Sequence, residues 1–188
     1  MPVLCLMMKG KNLVLRKIAG ECEKDLKVFK GNLKKQGYIS EVKSVLSEFA
    51  QYGVDFERLD DFMKEVPPES YLHYKLDDIR TIYEKFEEYL SEKYITKEEM
   101  LDVLSDAVPY SDILKGSVVA MDGFTGFTPV QNRLIGELFS VCEKVMITVT
   151  MDGRENPYVY EHPYQIFALG KQMVTSLMKI AGEKKTRD

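Results

Sequence analysis

An α/β fold, helical over its first part and closing in a parallel βαβ unit, is predicted by three features of the 188-residue sequence. Apolar residues recur at three- and four-residue spacing through 40–93, the pattern of helices that bury one stripe. The texture changes after about residue 115, where 117–121 and 145–150 are short apolar runs of buried-strand type. One helix-length amphipathic stretch separates them. Strand, helix and strand so closely spaced form a βαβ unit with parallel neighbouring strands and a right-handed crossover.

The helical part is assigned to 1–112 and the α/β part to 113–188. A first helix is expected over 21–35, after a break at Ala19 and Gly20. The next, 40–52, has Ser40 as N-cap, a stripe of Val42, Val45, Leu46 and Phe49, and a stop at Gly53. A short helix follows Asp55 and ends before Pro67 and Pro68, because proline lacks a backbone donor and disfavours helix at the residue before it. The longest helix, 69–93, carries Leu72, Leu76, Ile79, Ile82, Tyr83, Phe86, Tyr89 and Leu90 on one face. Thr96 and Glu99 have capping-box spacing and open a helix through Leu104. Beyond the first strand, Thr128 (N-cap), Pro129 (N1) and Gln131 (N3) start a helix bearing Leu134, Ile135, Leu138 and Phe139 and ending near Glu143. A last helix, 163–181, shows Ile166, Met173, Leu177 and Ile180 on one side.

Bulk properties exclude several classes. No apolar run approaches the roughly 20 residues that cross a bilayer. The run from Val3 to Met8 is too short for a signal segment, with its basic residues on the wrong side, so a cytoplasmic protein without membrane contact is expected. Three widely spaced cysteines, Cys5, Cys22 and Cys142, and two histidines make neither a disulfide framework nor a zinc or iron–sulfur ligand set. A net charge of −4 argues against a free-standing nucleic-acid-binding module. Lysines do cluster, at Lys9, Lys11 and Lys17 beside Arg16 and again at Lys24, Lys27, Lys30, Lys34 and Lys35, where interleaved acids read as solvated helix faces.

Each expected strand runs into the same tripeptide, Met121-Asp122-Gly123 and Met151-Asp152-Gly153. In a parallel sheet this sets two carboxylates at the C-terminal edge, where open α/β folds bind ligands and where Mg²⁺ could sit beside a phosphate. Aspartate after a strand is also an ordinary turn residue. No GxxxxGK[ST] loop cradles a triphosphate, and no GxSxG elbow marks a nucleophile. His73, beside the apolar stripe, and His162, before Pro163, read as structural. The glycines of 123–128 alternate with Phe124 and Phe127, which indicates a tight strand-to-helix turn packed by the two rings.

The stretch 118–131, VVAMDGFTGFTPVQ, resembles the Walker B segment of UvrD-like superfamily-1 helicases, with Asp122, Phe124, Pro129 and Gln131 in the matching places. Gly123 stands where those enzymes carry the catalytic glutamate, so no base would orient an attacking water. With the ITVTMD strand and the upstream DLKVF and KKQGYISEV stretches, this eroded form resembles the AddB (RexB) subunit of the AddAB helicase–nuclease over most of the chain. The resemblance implies a P-loop helicase-like core, with 1–112 a 1B-like insertion and 113–188 a 1A-like core fragment. It also implies a fragment of a longer subunit that binds ATP, Mg and an iron–sulfur cluster elsewhere, this chain holding none of them.

The expected function is that of a non-catalytic helicase-like segment of an ATP-dependent DNA helicase–exonuclease, acting in double-strand-break repair and recombination. Its partners are an AddA-type motor and nuclease subunit and, through the full complex, DNA. Lys24, Lys27, Lys30, Lys34 and Lys35 are the candidate DNA contacts, since phosphate asks only for accessible positive charge. Two alternatives stand beside this reading. One is a small Mg²⁺-dependent phosphohydrolase using Asp122 and Asp152; the other is a helical adaptor that recruits a protein through the 72–90 stripe.

Overall fold

The computed structural model describes residues 4–6, 8–32, 35–91, 94–96, 99–160 and 162–185. They form two compact units, Met1–Met100 and Leu101–Asp188.

The first unit is built on four helices. They are α1 (Met8–Cys22), α2 (Gln36–Tyr52), α3 (Phe56–Glu65) and α4 (Tyr71–Leu90). Two three-residue strands, β1 (Leu4–Leu6) and β2 (Tyr94–Thr96), pair in parallel. On α4 the predicted stripe is buried from Leu76 through Ile79, Ile82, Tyr83 and Phe86 to Leu90, while Leu72 and Tyr89 are exposed. It packs with Leu15 and Ile18 of α1, Ile39, Val42 and Leu46 of α2 and Leu59 of α3. The face that an adaptor would offer to a partner is thus largely filled from within.

Local signals set most helix ends. Gly53 closes α2 in the left-handed region at φ 63°, which glycine enters without steric cost. The Asp55 carboxylate caps α3 by accepting from the Arg58 N–H at 2.9 Å, and α3 stops before the two prolines. Ser70 caps α4 through the His73 N–H at 3.1 Å. Thr96 and Glu99 form the reciprocal box expected of them, at the start of α5 (Glu99–Ala107).

The N-terminal region departs from expectation. Ala19 and Gly20 do not break a helix; they lie inside α1, whose stripe of Val14, Leu15, Ile18, Ala19 and Cys22 is buried. The helix expected over 21–35 is instead the end of α1 followed by turns through 23–32. The cause is Asp78 of α4, 1% exposed, whose carboxylate accepts the backbone N–H groups of Lys27, Val28 and Phe29 at 2.8, 2.7 and 2.7 Å. Three consecutive N–H groups given to one carboxylate are not available to the i−4 carbonyls that a helix running through 21–35 would offer them. Helix α2 likewise starts before Ser40, which lies within it.

In the second unit β3 (Val118–Met121), α6 (Pro129–Val141) and β4 (Lys144–Ile147) form the predicted unit, with the strands parallel and Val118 opposite Lys144. Helix α7 (Ala168–Lys185) begins later than expected, so Ile166 lies outside it, 92% exposed. Ile135, Met173 and Leu177 are buried together, with Met121, Phe139, Ile147 and Val149 against them. The strands, read as buried on both faces, are covered on one: Val119 and Met121 are half-buried, whereas Val118 and Met146 are exposed. Close approach fixes α7: a Cβ on Gly136 would lie 3.2 Å from Ile180, and one on Gly170 would lie 3.2 Å from the Thr150 carbonyl oxygen. No helix among the described residues is long and apolar enough to cross a membrane.

Two outcomes are expected of the first unit. Replacing Asp78 with Ala strands three donors, and urea unfolding should show a loss of about 3 kcal/mol; Asp77→Ala, which removes only an exposed pair, should leave the midpoint near that of the parent. The second concerns Glu87 of α4, pushed up from its ordinary 4.5 to about 7 by burial and by Glu99, against the opposing pull of Lys11. An acid with a raised folded-state value favours the native state when protonated, so its stabilisation is complete below about 4.5 and fades as pH rises through about 7. Urea midpoints should therefore fall across that interval, and Glu87→Gln should flatten the fall.

Candidate functional site

The turn 122–131 is assembled from its two ends. The ladder between β3 and β4 continues one step past the strands, the Thr148 N–H donating to the Met121 carbonyl at 3.0 Å. That step sets Thr148 beside Asp122, and its hydroxyl donates to the Asp122 carboxylate. At the other end, Thr128 caps α6 with Pro129 in its first turn. The Thr128 hydroxyl accepts from the Gln131 N–H at 3.4 Å, and the Gln131 side-chain oxygen accepts from the Thr128 N–H at 2.8 Å. Pro129 and Gln131 therefore serve the helix start. Between the ends, Phe124 and Phe127 pack with ring centroids 5.0 Å apart, as the alternation with glycine predicted.

Gly123 decides what this turn can do. Its φ is 81°, a region that side-chain-bearing residues occupy only with strain. Space is not the restriction, since an added Cβ would meet nothing within 4 Å. The backbone itself disfavours a glutamate at this position.

The second carboxylate is engaged elsewhere. Asp152 accepts from the Arg154 backbone N–H at 3.0 Å and from its guanidinium at 2.6 Å, which holds the acid below the usual carboxylate range. Among the described residues no three Asp, Glu, His or Cys side chains are placed to share a metal ion. Asp122 and Asp152 each have a neutral or cationic partner that a metal would have to displace, and the phosphohydrolase reading gains no support from this geometry.

Lys24, Lys27 and Lys30 of the lysine cluster lie on the turns around the Asp78 contact, and Lys35 is the N-cap of α2. The Lys27 ammonium reaches the Asp77 carboxylate at 2.9 Å, which raises its pKa, and sits 4.9 Å from the centre of the Tyr74 ring. The Lys35 ammonium donates to the Asn32 side chain at 3.0 Å. Lys24 and Lys30 are exposed, with no ion pair among the described residues; Lys34 lies outside them. Sequence reading missed Thr148 and Asp78, which fix the two regions, and also a cavity of about 330 Å³ beside Phe29 and Tyr38.

Together these features define an α/β protein whose strand-end carboxylate is committed to a neighbouring hydroxyl, next to a glycine-only backbone position. The chain belongs to the family described as ADDB, N-terminal, which it matches over residues 5–187. It is similar to proteins named as the B subunit of an ATP-dependent helicase/deoxyribonuclease. That of Lachnoclostridium phytofermentans is 39% identical over 173 residues, covering 92% of this chain and 15% of the relative. Those of Thermoanaerobacter pseudethanolicus and Alkaliphilus oremlandii are 36% and 31% identical, covering 93% and 92% of this chain and 15% of each relative. The chain thus spans about 15% of the length of these curated relatives.

The conformation at Gly123 makes a test. Gly123→Glu should lower stability by roughly 1–2 kcal/mol in urea unfolding and should produce no ATP hydrolysis above blank. An unchanged midpoint would show that the turn accepts a side chain and that glycine is not required there.

Proposed function

We propose that this chain is a non-catalytic, helicase-like segment of an ATP-dependent DNA helicase–exonuclease subunit that works in the cytoplasm on broken DNA ends in repair and recombination. On this reading 1–112 is a 1B-like insertion and 113–188 a fragment of a P-loop helicase-like 1A core, and an AddA-type subunit supplies the motor. The observation that carries it is the left-handed backbone at Gly123 within a Walker B-like turn, two of whose matching residues, Pro129 and Gln131, are occupied at the start of α6.

The cofactors implied by the family do not fit the residues here. Asp122 is engaged by Thr148, and the sequence supplies no glycine–lysine loop for the phosphates of ATP. A cluster held by four thiolates exceeds the three cysteines of the chain, and Cys22 is fully buried with its thiol donating to the Ile18 carbonyl at 3.0 Å. What this chain brings to DNA is charge, through Lys24, Lys27, Lys30 and Lys35.

The tests separate the two halves of the reading. Phosphate release from ATP with single-stranded DNA present should stay at blank, whereas turnover abolished by Asp122→Ala would end the non-catalytic reading. Binding of single-stranded DNA should weaken steeply with salt, and Lys30→Gln should lower the log–log slope by about 0.7. A slope that stays the same when Lys24 and Lys30 are both neutralised would remove this loop from the DNA contact.

A further inference from the structure

The cavity beside the lysine turns has a definite chemistry. Phe29, 5% exposed, Val42 and Ile79 are its buried residues, Val45 lines it from α2 beside Val42, and Tyr38, 38% exposed, lies toward solvent. Phe29 and Tyr38 meet edge to face, with centroids 6.1 Å apart and planes at 76°. At about 330 Å³ it falls at the small end of ligand sites, which run from roughly 300 to 1,000 Å³. That is room for one flat ring rather than a length of peptide. Gly37 leaves the first turn of α2 without a side chain beside it.

The surroundings select the kind of ring. Lys75 lines the cavity, and Lys30 directly follows Phe29 in the chain. The segment 24–35 carries five lysines against one acid, Asp25, in a chain whose net charge is −4. The N-cap residue of α2, Lys35, makes no side-chain cap bond, and the positive dipole end of the helix adds to the field. An apolar slot with aromatic walls and a lysine on its lining suits a ring that carries a negative backbone. Glu41, also lining the cavity, offers an acceptor to an exocyclic amino group.

We propose that the cavity between Phe29, Tyr38, Val42, Val45 and Ile79 takes one unstacked base of single-stranded DNA, with Lys30 and Lys75 meeting the adjoining phosphates and Glu41 favouring amino-bearing bases. The inference rests on the reading of this chain as a DNA-contacting segment and assigns it a base site. Base stacking on aromatic side chains is a recurrent device of single-strand binders, because every base has a π-face.

The test uses the 188-residue chain and short fluorescent oligonucleotides followed by anisotropy. A cytosine strand should bind about tenfold more tightly than an abasic strand of equal length and more tightly than a thymine strand. Tyr38→Ala should erase the first difference without weakening abasic binding, Tyr38→Phe should keep it, and Lys75→Gln should weaken cytosine and abasic strands alike. Irradiation of a strand containing 5-iododeoxycytidine should attach it to the peptide bearing Tyr38, a readout that needs no variant to fold. Equal binding of cytosine and abasic strands, or attachment only outside 29–45, overturns the base site and leaves the DNA contact standing. Failure of every strand to bind overturns both. Saturable binding of apolar peptides here, with no dependence on bases, assigns the cavity to a protein side chain and likewise overturns the proposal.

Discussion

The Asp78 carboxylate governs the first unit. A buried carboxyl group is costly unless its oxygens are satisfied, and here three successive backbone N–H groups satisfy them. The same contact keeps the chain beyond α1 in turns, since the N–H groups of 27–29 are given to a carboxylate and not to helix carbonyls. It turns Phe29 into the core, where it forms part of the cavity, and holds Lys27 where its ammonium meets Asp77 and the Tyr74 ring. One side chain on α4 thus specifies a loop about fifty positions earlier in the chain.

The second unit is organised by backbone geometry. Gly123 supplies a left-handed turn directly after β3, and the Thr128–Gln131 box and Pro129 start α6 five residues later. Gly136 and Gly170 let α7 approach α6 and the end of β4 more closely than a side chain would permit. The Lys171 ammonium, on a side chain 6% exposed, reaches Glu155 at 2.6 Å and ties the loop after β4 to the start of α7. Asp122 belongs to this framework through Thr148. A residue type that suggests catalysis is explained here by what it holds together.

Where the controlling signal is local, the sequence was legible. Gly53, Asp55 and the proline pair delimit α3, Thr96 with Glu99 opens α5, and Thr128 with Gln131 opens α6, each acting over three or four residues. The parallel pairing of β3 and β4 followed from their spacing around one helix. What failed was non-local. The lysines of 24–35 fit a helical face as well as a loop, and only Asp78, distant in sequence, decides between them. The pairing of β1 with β2 joins three-residue segments at opposite ends of the first unit, too short to show a period. The candidate site divides in the same way: the glycine–aromatic turn could be read directly, whereas the tie between Thr148 and Asp122 needed the register of the sheet.

These two constraints bear on the reading proposed above, a helicase-like segment that works without chemistry of its own. On that reading hydrolysis would need a glutamate and a free carboxylate at one strand end, and the left-handed glycine with a hydroxyl on Asp122 argues against both. Contact with a phosphate backbone depends on little more than placed positive charge. Lys24, Lys27 and Lys30 sit on turns around the bonds to Asp78, so binding through them would spend little entropy on arranging the loop. On the proposed DNA contact Asp78 would matter to binding, although at 1% exposure it is too buried to touch a ligand. Replacing it would loosen the lysines and the Phe29 wall of the cavity together, coupling two properties that the surface alone would suggest are separate.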